Sequence, residues 1–236
     1  RFIVLAGLGY SRFEDRITGE VETSADSRLG LIYKPTPTTS LYASYATGFN
    51  PNFSAFDADG AVLPGEELRQ YEAGVKAEFG SNLLLTAAVF DIEQKGQAVT
   101  DPASLDLPPA EQYSIALGKT RTRGFDAQLI GKLGPSVRLI AGYAYLDASL
   151  LEDGPDLDND GNRLGGIPKH SGSLFAVYEF GGALDGLAVG GGIFAQSRVP
   201  IGFENVSFYD AWAQLDATVN YKVDRWKLQL NVKNLT

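Results

Sequence analysis

Along most of the chain, apolar and polar residues alternate one by one, and the spacing of an amphipathic helix is almost absent. From Tyr71 to Phe79 one set reads Tyr71, Ala73, Val75, Ala77, Phe79, and the other Glu72, Gly74, Lys76, Glu78. Phe125, Ala127, Leu129, Gly131 and Leu133 likewise interleave with Asp126, Gln128, Ile130 and Lys132. The pattern returns over residues 211–221. It returns again where Trp226, Leu228, Leu230 and Val232 alternate with Lys227, Gln229, Asn231 and Lys233. Successive side chains of a strand point to opposite faces of its sheet, so each run has one apolar and one polar face. Such runs predict half-buried antiparallel strands. Further strands are expected over residues 2–12, 27–35, 40–49, 83–97, 137–149, 171–180 and 187–198. That makes about eleven, and several reach the ~9–11 residues a tilted strand needs to cross a bilayer.

The connections between these runs are of two kinds. Short ones fall at 34–38, 80–82, 134–136, 181–186 and 223–224, each rich in the Gly, Pro, Asn, Asp or Ser that tight turns require. Long ones fall at 50–67, 98–120, 150–169 and 199–208, and the two kinds alternate along the chain. In an up-and-down meander this puts every short turn at one rim and every long loop at the other, the asymmetry of an outer-membrane barrel. Tyr33, Phe79, Phe180 and Tyr221 sit beside short turns on the apolar register, as an aromatic girdle at a membrane interface would. The fold class expected is all-β, an antiparallel up-and-down transmembrane β-barrel.

Composition narrows the classes of function. The chain has 236 residues, of which 44% are hydrophobic and 11% aromatic, enough to exclude intrinsic disorder. Without cysteine it has no disulfide framework and no thiolate chemistry. His170 is the only histidine, which rules out a His-rich metal centre. A net charge of −9 argues against nucleic acid as a partner, because phosphates demand a basic face. The longest apolar run, residues 2–10, is broken by glycines and falls short of the ~18 apolar residues of a membrane helix. No Gly-rich phosphate loop or dinucleotide fingerprint occurs; the glycines suit turns and close strand contacts. Arg1 at the first position and the lack of Met suggest a segment of a longer chain.

Several segments, in order, resemble the C-terminal half of the barrel of TonB-dependent siderophore receptors. They are SLYASYATGF ending at Phe49, LRQYEAGVK starting at Leu68, AVFDI starting at Ala88, and TRGFD starting at Thr122. AGYAY starting at Ala141, IPKH ending at His170, and LNVKNL starting at Leu230 complete the set. Each is a generic strand fragment, and the specificity lies in the ordered series, which covers nearly the whole chain. The resemblance implies about eleven strands of a 22-stranded, plugged barrel. On that reading residues 1–236 are a partial receptor barrel domain, without the plug domain or the closing strand. The expected protein is an outer-membrane receptor segment for energy-dependent uptake of a ferric siderophore, and not an enzyme. Its implied partners are the ferric siderophore, outer-membrane lipid, and the TonB–ExbB–ExbD system acting through the missing N-terminal part. No cofactor is expected, since the siderophore carries the iron. A passive porin-like channel and a secreted soluble β-barrel or sandwich acting as a binding module are the alternatives.

Candidate site residues are few. Phe49, Phe53 and Phe56 lie in or beside one long loop, and Tyr113 and Phe208 in or beside two others. At a rim such rings can stack on a chelate's conjugated groups or pack the loops together. Arg121 and Arg123 share one strand face with Lys119 in register. These cations are expected to face the lumen, meeting anionic ligand or plug groups, or simply balancing nearby carboxylates. Asp156, Asp158 and Asp160 with Gly161 copy the first half of a calcium loop. Ile167 stands where the bidentate glutamate would close it, which favours a solvated turn. His170 beside Ser171 and Ser173 forms no triad, because adjacent strand residues face opposite sides.

Overall fold

Each alternating run is a strand in the computed structural model, which describes residues 1–16, 19–80, 82–152 and 158–236. In chain order the strands are β1 (Phe2–Glu14), β2 (Val21–Thr36), β3 (Thr39–Asn50), β4 (Glu66–Phe79), β5 (Leu83–Lys95), β6 (Ala98–Thr100), β7 (Ser114–Ala116) and β8 (Lys119–Leu133). There follow β9 (Val137–Glu152), β10 (His170–Glu179), β11 (Leu187–Gln196), β12 (Val199–Ile201), β13 (Ser207–Tyr209), β14 (Trp212–Val223) and β15 (Trp226–Val232). Eleven of them build one sheet, in the order β1-β2-β3-β4-β5-β8-β9-β10-β11-β14-β15. All its pairings are antiparallel between chain neighbours. The two remaining pairs, β6 with β7 and β12 with β13, are small hairpins within long loops.

Cross-strand register carries one apolar face through the whole sheet. One row joins Ala77, Leu85, Leu129, Ala141, Leu174, Ile193 and Leu215 from β4 to β14. The row nearer the short turns joins Leu133, Val137, Tyr178, Val189, Val219 and Leu230. Many of these side chains are uncovered, Leu230 at 62% and Leu174 at 46% exposure, which in water would be a large apolar liability. The opposite face carries Gln70, Glu72, Lys76, Gln128, Lys132, Asp216, Asn220 and Gln229. An apolar exterior with a mixed polar interior is the division a membrane-spanning barrel requires.

The five short turns expected from the sequence lie at one rim and the four long loops at the other, where the short β1–β2 connection also lies. Tyr33, Phe79 and Tyr221 line the short-turn rim on the apolar face; Phe2 stacks on Tyr33 at 4.6 Å, and Phe180 meets Tyr178 edge-on at 4.8 Å. A second belt, unforeseen from sequence, occupies the same face near the long loops: Tyr10, Tyr45, Tyr71, Phe125, Tyr143 and Tyr145. Beyond that belt several strands run further than the alternation indicated. β4 begins at Glu66 and β8 at Lys119. There both faces meet a polar medium, so the alternation fades while backbone pairing continues.

Candidate functional site

The wall holds little buried core. Leu117, Ala148, Leu150 and Leu164 instead form a buried cluster at the long-loop rim, with Val99, Ile167 and Phe203 packed against it. Ala148 and Leu150 project from the polar, lumen-side register of β9, opposite Thr122 and Thr120 of β8. The loops therefore fold inward, over the mouth of the lumen. Backbone bonds seat the segment after β9, among them Leu164 N–H donating to Ala148 O at 3.0 Å, Leu150 N–H to Asn162 O at 2.9 Å and Gly161 N–H to Leu150 O at 2.8 Å.

Polar side chains then tie the loops to one another. Asn205, held at φ 57°, accepts from Arg163 N–H at 2.9 Å and donates to Arg163 O at 2.8 Å. Asn162 Nδ2 donates to Phe203 O at 3.0 Å, and the Arg163 guanidinium reaches Ile167 O at 3.2 Å. The segments 158–169 and 197–211 thus behave as one unit. On the other side of the mouth, Glu22 of β2 accepts from Gly65 N–H at 2.8 Å and Asn52 N–H at 3.2 Å. One carboxylate thereby holds both ends of loop 51–65. Ser114 N–H donates to Phe56 O at 2.7 Å, joining that loop to the β6–β7 hairpin.

The aromatic candidates are distributed around this mouth. Phe49 is committed to packing: it meets Phe13 at 6.1 Å and leaves no room for a side chain at residue 65. Phe56 is 41% exposed, and Phe53, Tyr113 and Phe208 are half-buried. Arg198 lies over the Phe208 ring, 4.6 Å from its centroid. Among the described residues no ring pair joins Phe53, Phe56, Tyr113 and Phe208, so they form no common stack. The exposed loop side chains Leu105, Val206 and Tyr209 escaped the sequence reading, because single apolar residues in polar loops carry no periodic signal. Glu22, Arg163 and Asn205 escaped it as well, since long-range loop ties leave no local pattern.

Arg121 and Arg123 do not face the lumen. Their partners across the sheet are Glu93 and Asp91, on the register that continues through Phe125 and Val89; they therefore stand outside the wall, above the second aromatic belt. Both arginines pair with Asp91, Arg123 at 3.1 Å, while Arg69 and Lys119 pair with Glu93, Lys119 at 3.4 Å. His170 is also outward, its Nδ1 within 2.8 Å of the Tyr143 hydroxyl, and turned away from Ser171 and Ser173. Asp158 and Asp160 are exposed in a turn, and Asp156 lies outside the described residues. Among the described residues, no three His, Asp or Glu side chains gather as a metal site.

The family follows from matching the whole pattern. Residues 1–235 match the model described as TonB dependent receptor-like, beta-barrel. The chain belongs to that family. That family is one of outer-membrane proteins of Gram-negative bacteria, receptors and transporters rather than enzymes. It is 34% identical over 232 residues to the metal-pseudopaline receptor CntO of Pseudomonas aeruginosa, covering 97% of this chain and 32% of the relative. It is 32% identical to the ferric-pyoverdine M114 receptor PbuA of Pseudomonas sp., covering 92% of this chain and 26% of the relative. The chain thus spans about a third or less of the length of these two relatives. The crystal structure of the siderophore receptor PiuA from Acinetobacter baumannii superposes with a TM-score of 0.80 at 24% identity, over 99% of this chain and 36% of that one. With the apolar register facing lipid, the soluble binding module is set aside.

Proposed function

We propose that this chain supplies barrel wall and outer loops to a receptor that carries a ferric siderophore across the outer membrane, powered by the TonB–ExbB–ExbD system. The loops that fold over the lumen mouth carry the reading: a rigid, partly aromatic rim above a polar interior suits capture of a bulky chelate. Relatives named for pseudopaline, pyoverdine and ferrioxamine B support chelates as the ligand class. In this reading Phe53, Phe56, Tyr113 and Phe208 contact the ligand from the rim, and Phe49 supports them through Phe13. The barrel closes on the remainder of a 22-stranded wall around a plug, and the siderophore holds the iron, so the protein needs no metal ligands of its own. Conjugated chelators present flat faces to such rings.

The test is uptake of iron-55 chelates by cells expressing the intact receptor. Saturable uptake of at least one ferric chelate, abolished when the motor is deleted, is the expected outcome. Uptake that persists without the motor would mean a passive pore. Replacing both Phe56 and Tyr113 by Ala should raise the apparent Kd for that chelate roughly thirtyfold, at a cost of ~1 kcal/mol per lost aromatic contact.

A further inference from the structure

Between β2 and β3 the wall has a window. The two strands pair as far as Arg28 and Ala46 and no further, although β2 runs on to Val21 and β3 to Asn50. Just above the last pair, the Thr47 hydroxyl accepts from Ser27 N–H at 2.8 Å. A side chain there takes the place of a backbone carbonyl, and the ladder ends. Higher still, the Glu22 carboxylate ties β2 to the loop that follows β3. The opening lies between these two ties, just above the belt that includes Tyr45 and Tyr71 and marks the membrane interface.

Two cavities meet in this opening. One, of about 600 Å³, is lined chiefly from the outward register, by Thr23, Ala25 and Thr47 among others. The second, of about 630 Å³, lies mostly on the lumen side, over Leu5, Gly7, Gly30 and Ala46. Thr47, Gly48 and Leu68 line both. Gly48 leaves the junction clear, since a Cβ there would meet only the Leu68 Cβ, at 3.9 Å. The lumen-side groove is also unlike the interior around it. The same register carries Glu72, Lys76 and Gln128 on later strands, whereas here most positions are small or apolar. Outside, the apolar side chains nearest below the window are Leu8, at 92% exposure, Leu29 and Tyr45.

An apolar groove in the lumen is thus continuous, through the wall, with the surface that faces lipid. A chelate dissolved in water enters from above and has no use for a side opening. A chelate anchored in the outer leaflet by a hydrocarbon chain does. We propose that the window passes the tail of an amphiphilic ferric chelate, a substrate class within the transport reading on which this inference rests. The polar, iron-holding head sits in the mouth under the loops, and the first methylenes lie along Gly30 and Gly48. The rest of the tail leaves between Ala25 and Thr47 and stays in lipid beside Leu8 and Leu29. Through a closed wall the head could reach the lumen only by dragging its tail out of the bilayer, at a loss of roughly fourfold in affinity for each methylene exposed.

Uptake of radioactive iron by cells whose only chelate receptor is the intact protein tests this. Ferric complexes of a hydroxamate, a catecholate and a citrate-type head are each supplied free and with a dodecanoyl tail. Any head taken up free should also be taken up acylated, with apparent affinities within about threefold. Gly48→Leu sets a branched side chain where the cavities join, and should weaken uptake of the acylated form by roughly tenfold or more while leaving the free form unchanged. Gly142→Leu puts the same side chain on the lumen side of β9, where its Cβ would meet only Ser173 Oγ at 3.6 Å, and should affect neither form. A wild type that takes up a free head and refuses its acylated form overturns the proposal. So does a Gly48→Leu that impairs both forms alike or neither, or whose effect Gly142→Leu reproduces. If no free head is taken up, the transport reading fails first and this one with it. Should Gly48→Leu give no heat-resistant folded band on gels, a diazirine at the end of the tail carries the test on the wild type. It must label β1–β3, and labelling confined to other strands or to the loops overturns the proposal.

Discussion

The ring of Tyr42 lies across Gly74, its direct partner on the next strand: a Cβ at that position would stand 2.6 Å from the Tyr42 Cε1 and Cζ atoms. Phe175 and Gly192 repeat the arrangement between β10 and β11, with Cδ2 2.4 Å from the site of an added Cβ. Both pairs are on the lumen side. A ring covering a glycine shields its exposed backbone and holds the ring against the wall, leaving the interior clear.

Gly192→Ala is therefore expected to push Phe175 off the wall and cost about 1–3 kcal/mol, as overpacking does. Gly142→Ala is the matched control, because its Cβ would meet nothing closer than Ser173 Oγ at 3.6 Å; its effect should stay within about 0.5 kcal/mol. Urea unfolding of the intact receptor in lipid vesicles, followed by tryptophan fluorescence, measures both.

The two faces of one strand give a second prediction. Leu129 sits in the apolar row with Leu85 and Ala141, and Gln128 beside it points into the lumen. Leu129→Arg should destabilise the barrel by about 2–4 kcal/mol, the cost of a cation near the bilayer midplane. Gln128→Arg places the same charge one residue away in a polar interior and should change stability by less than about 1 kcal/mol. Comparable losses from the two substitutions would mean that the register has been assigned to the wrong faces.

This division also explains how much could be read from sequence. Alternation exists because lipid tolerates one kind of side chain and the lumen another, so Tyr71–Phe79 and Phe125–Leu133 were legible as strands with known faces. Parity held the answer for Arg121 and Arg123 as well: both are odd-numbered on the same strand as Phe125, and so share its lipid-facing side. The lumen expectation followed the sign of the charge and overlooked the register. Strand ends such as Glu66–Gln70 were harder, because above the bilayer neither face is selected for apolarity. The loop ties could not be read at all. Nothing local to Asn205 or Glu22 indicates a partner 42 or 43 residues away.

Asn205 supplies a third prediction. Its amide satisfies both backbone groups of Arg163, and its backbone is in the left-handed region that Asn tolerates better than most residues. Asn205→Ala loses the two bonds and strains the turn, an expected cost of about 1–3 kcal/mol, confined to the loop unit. Hydrogen exchange should accelerate over 158–169 and 197–211 while β8 and β9 remain protected. Asn205→Gly loses the same two bonds but relieves the strain, so it should recover only part of the protection.

Glu22 provides the sharpest test of the mouth. Its two carboxylate oxygens hold Gly65 N–H and Asn52 N–H, so the closure of loop 51–65 depends on a side chain from a different hairpin. Removing one acceptor that serves a buried donor at Asn52 and a half-buried one at Gly65 leaves both unsatisfied, at about 1–3 kcal/mol each. Glu22→Ala should open the loop ends and, through the Ser114–Phe56 bond, loosen the β6–β7 hairpin. Limited proteolysis of the intact receptor on whole cells should then cut within 51–65 and 96–118 well before the wild type is cut. Glu22→Gln keeps an oxygen for one donor and offers an amide to the other, so it should lie between the two. If Glu22→Ala is cut no faster than the wild type, the carboxylate is not what closes the loop. The rim would then owe its order to packing around Phe13 and Phe49 alone.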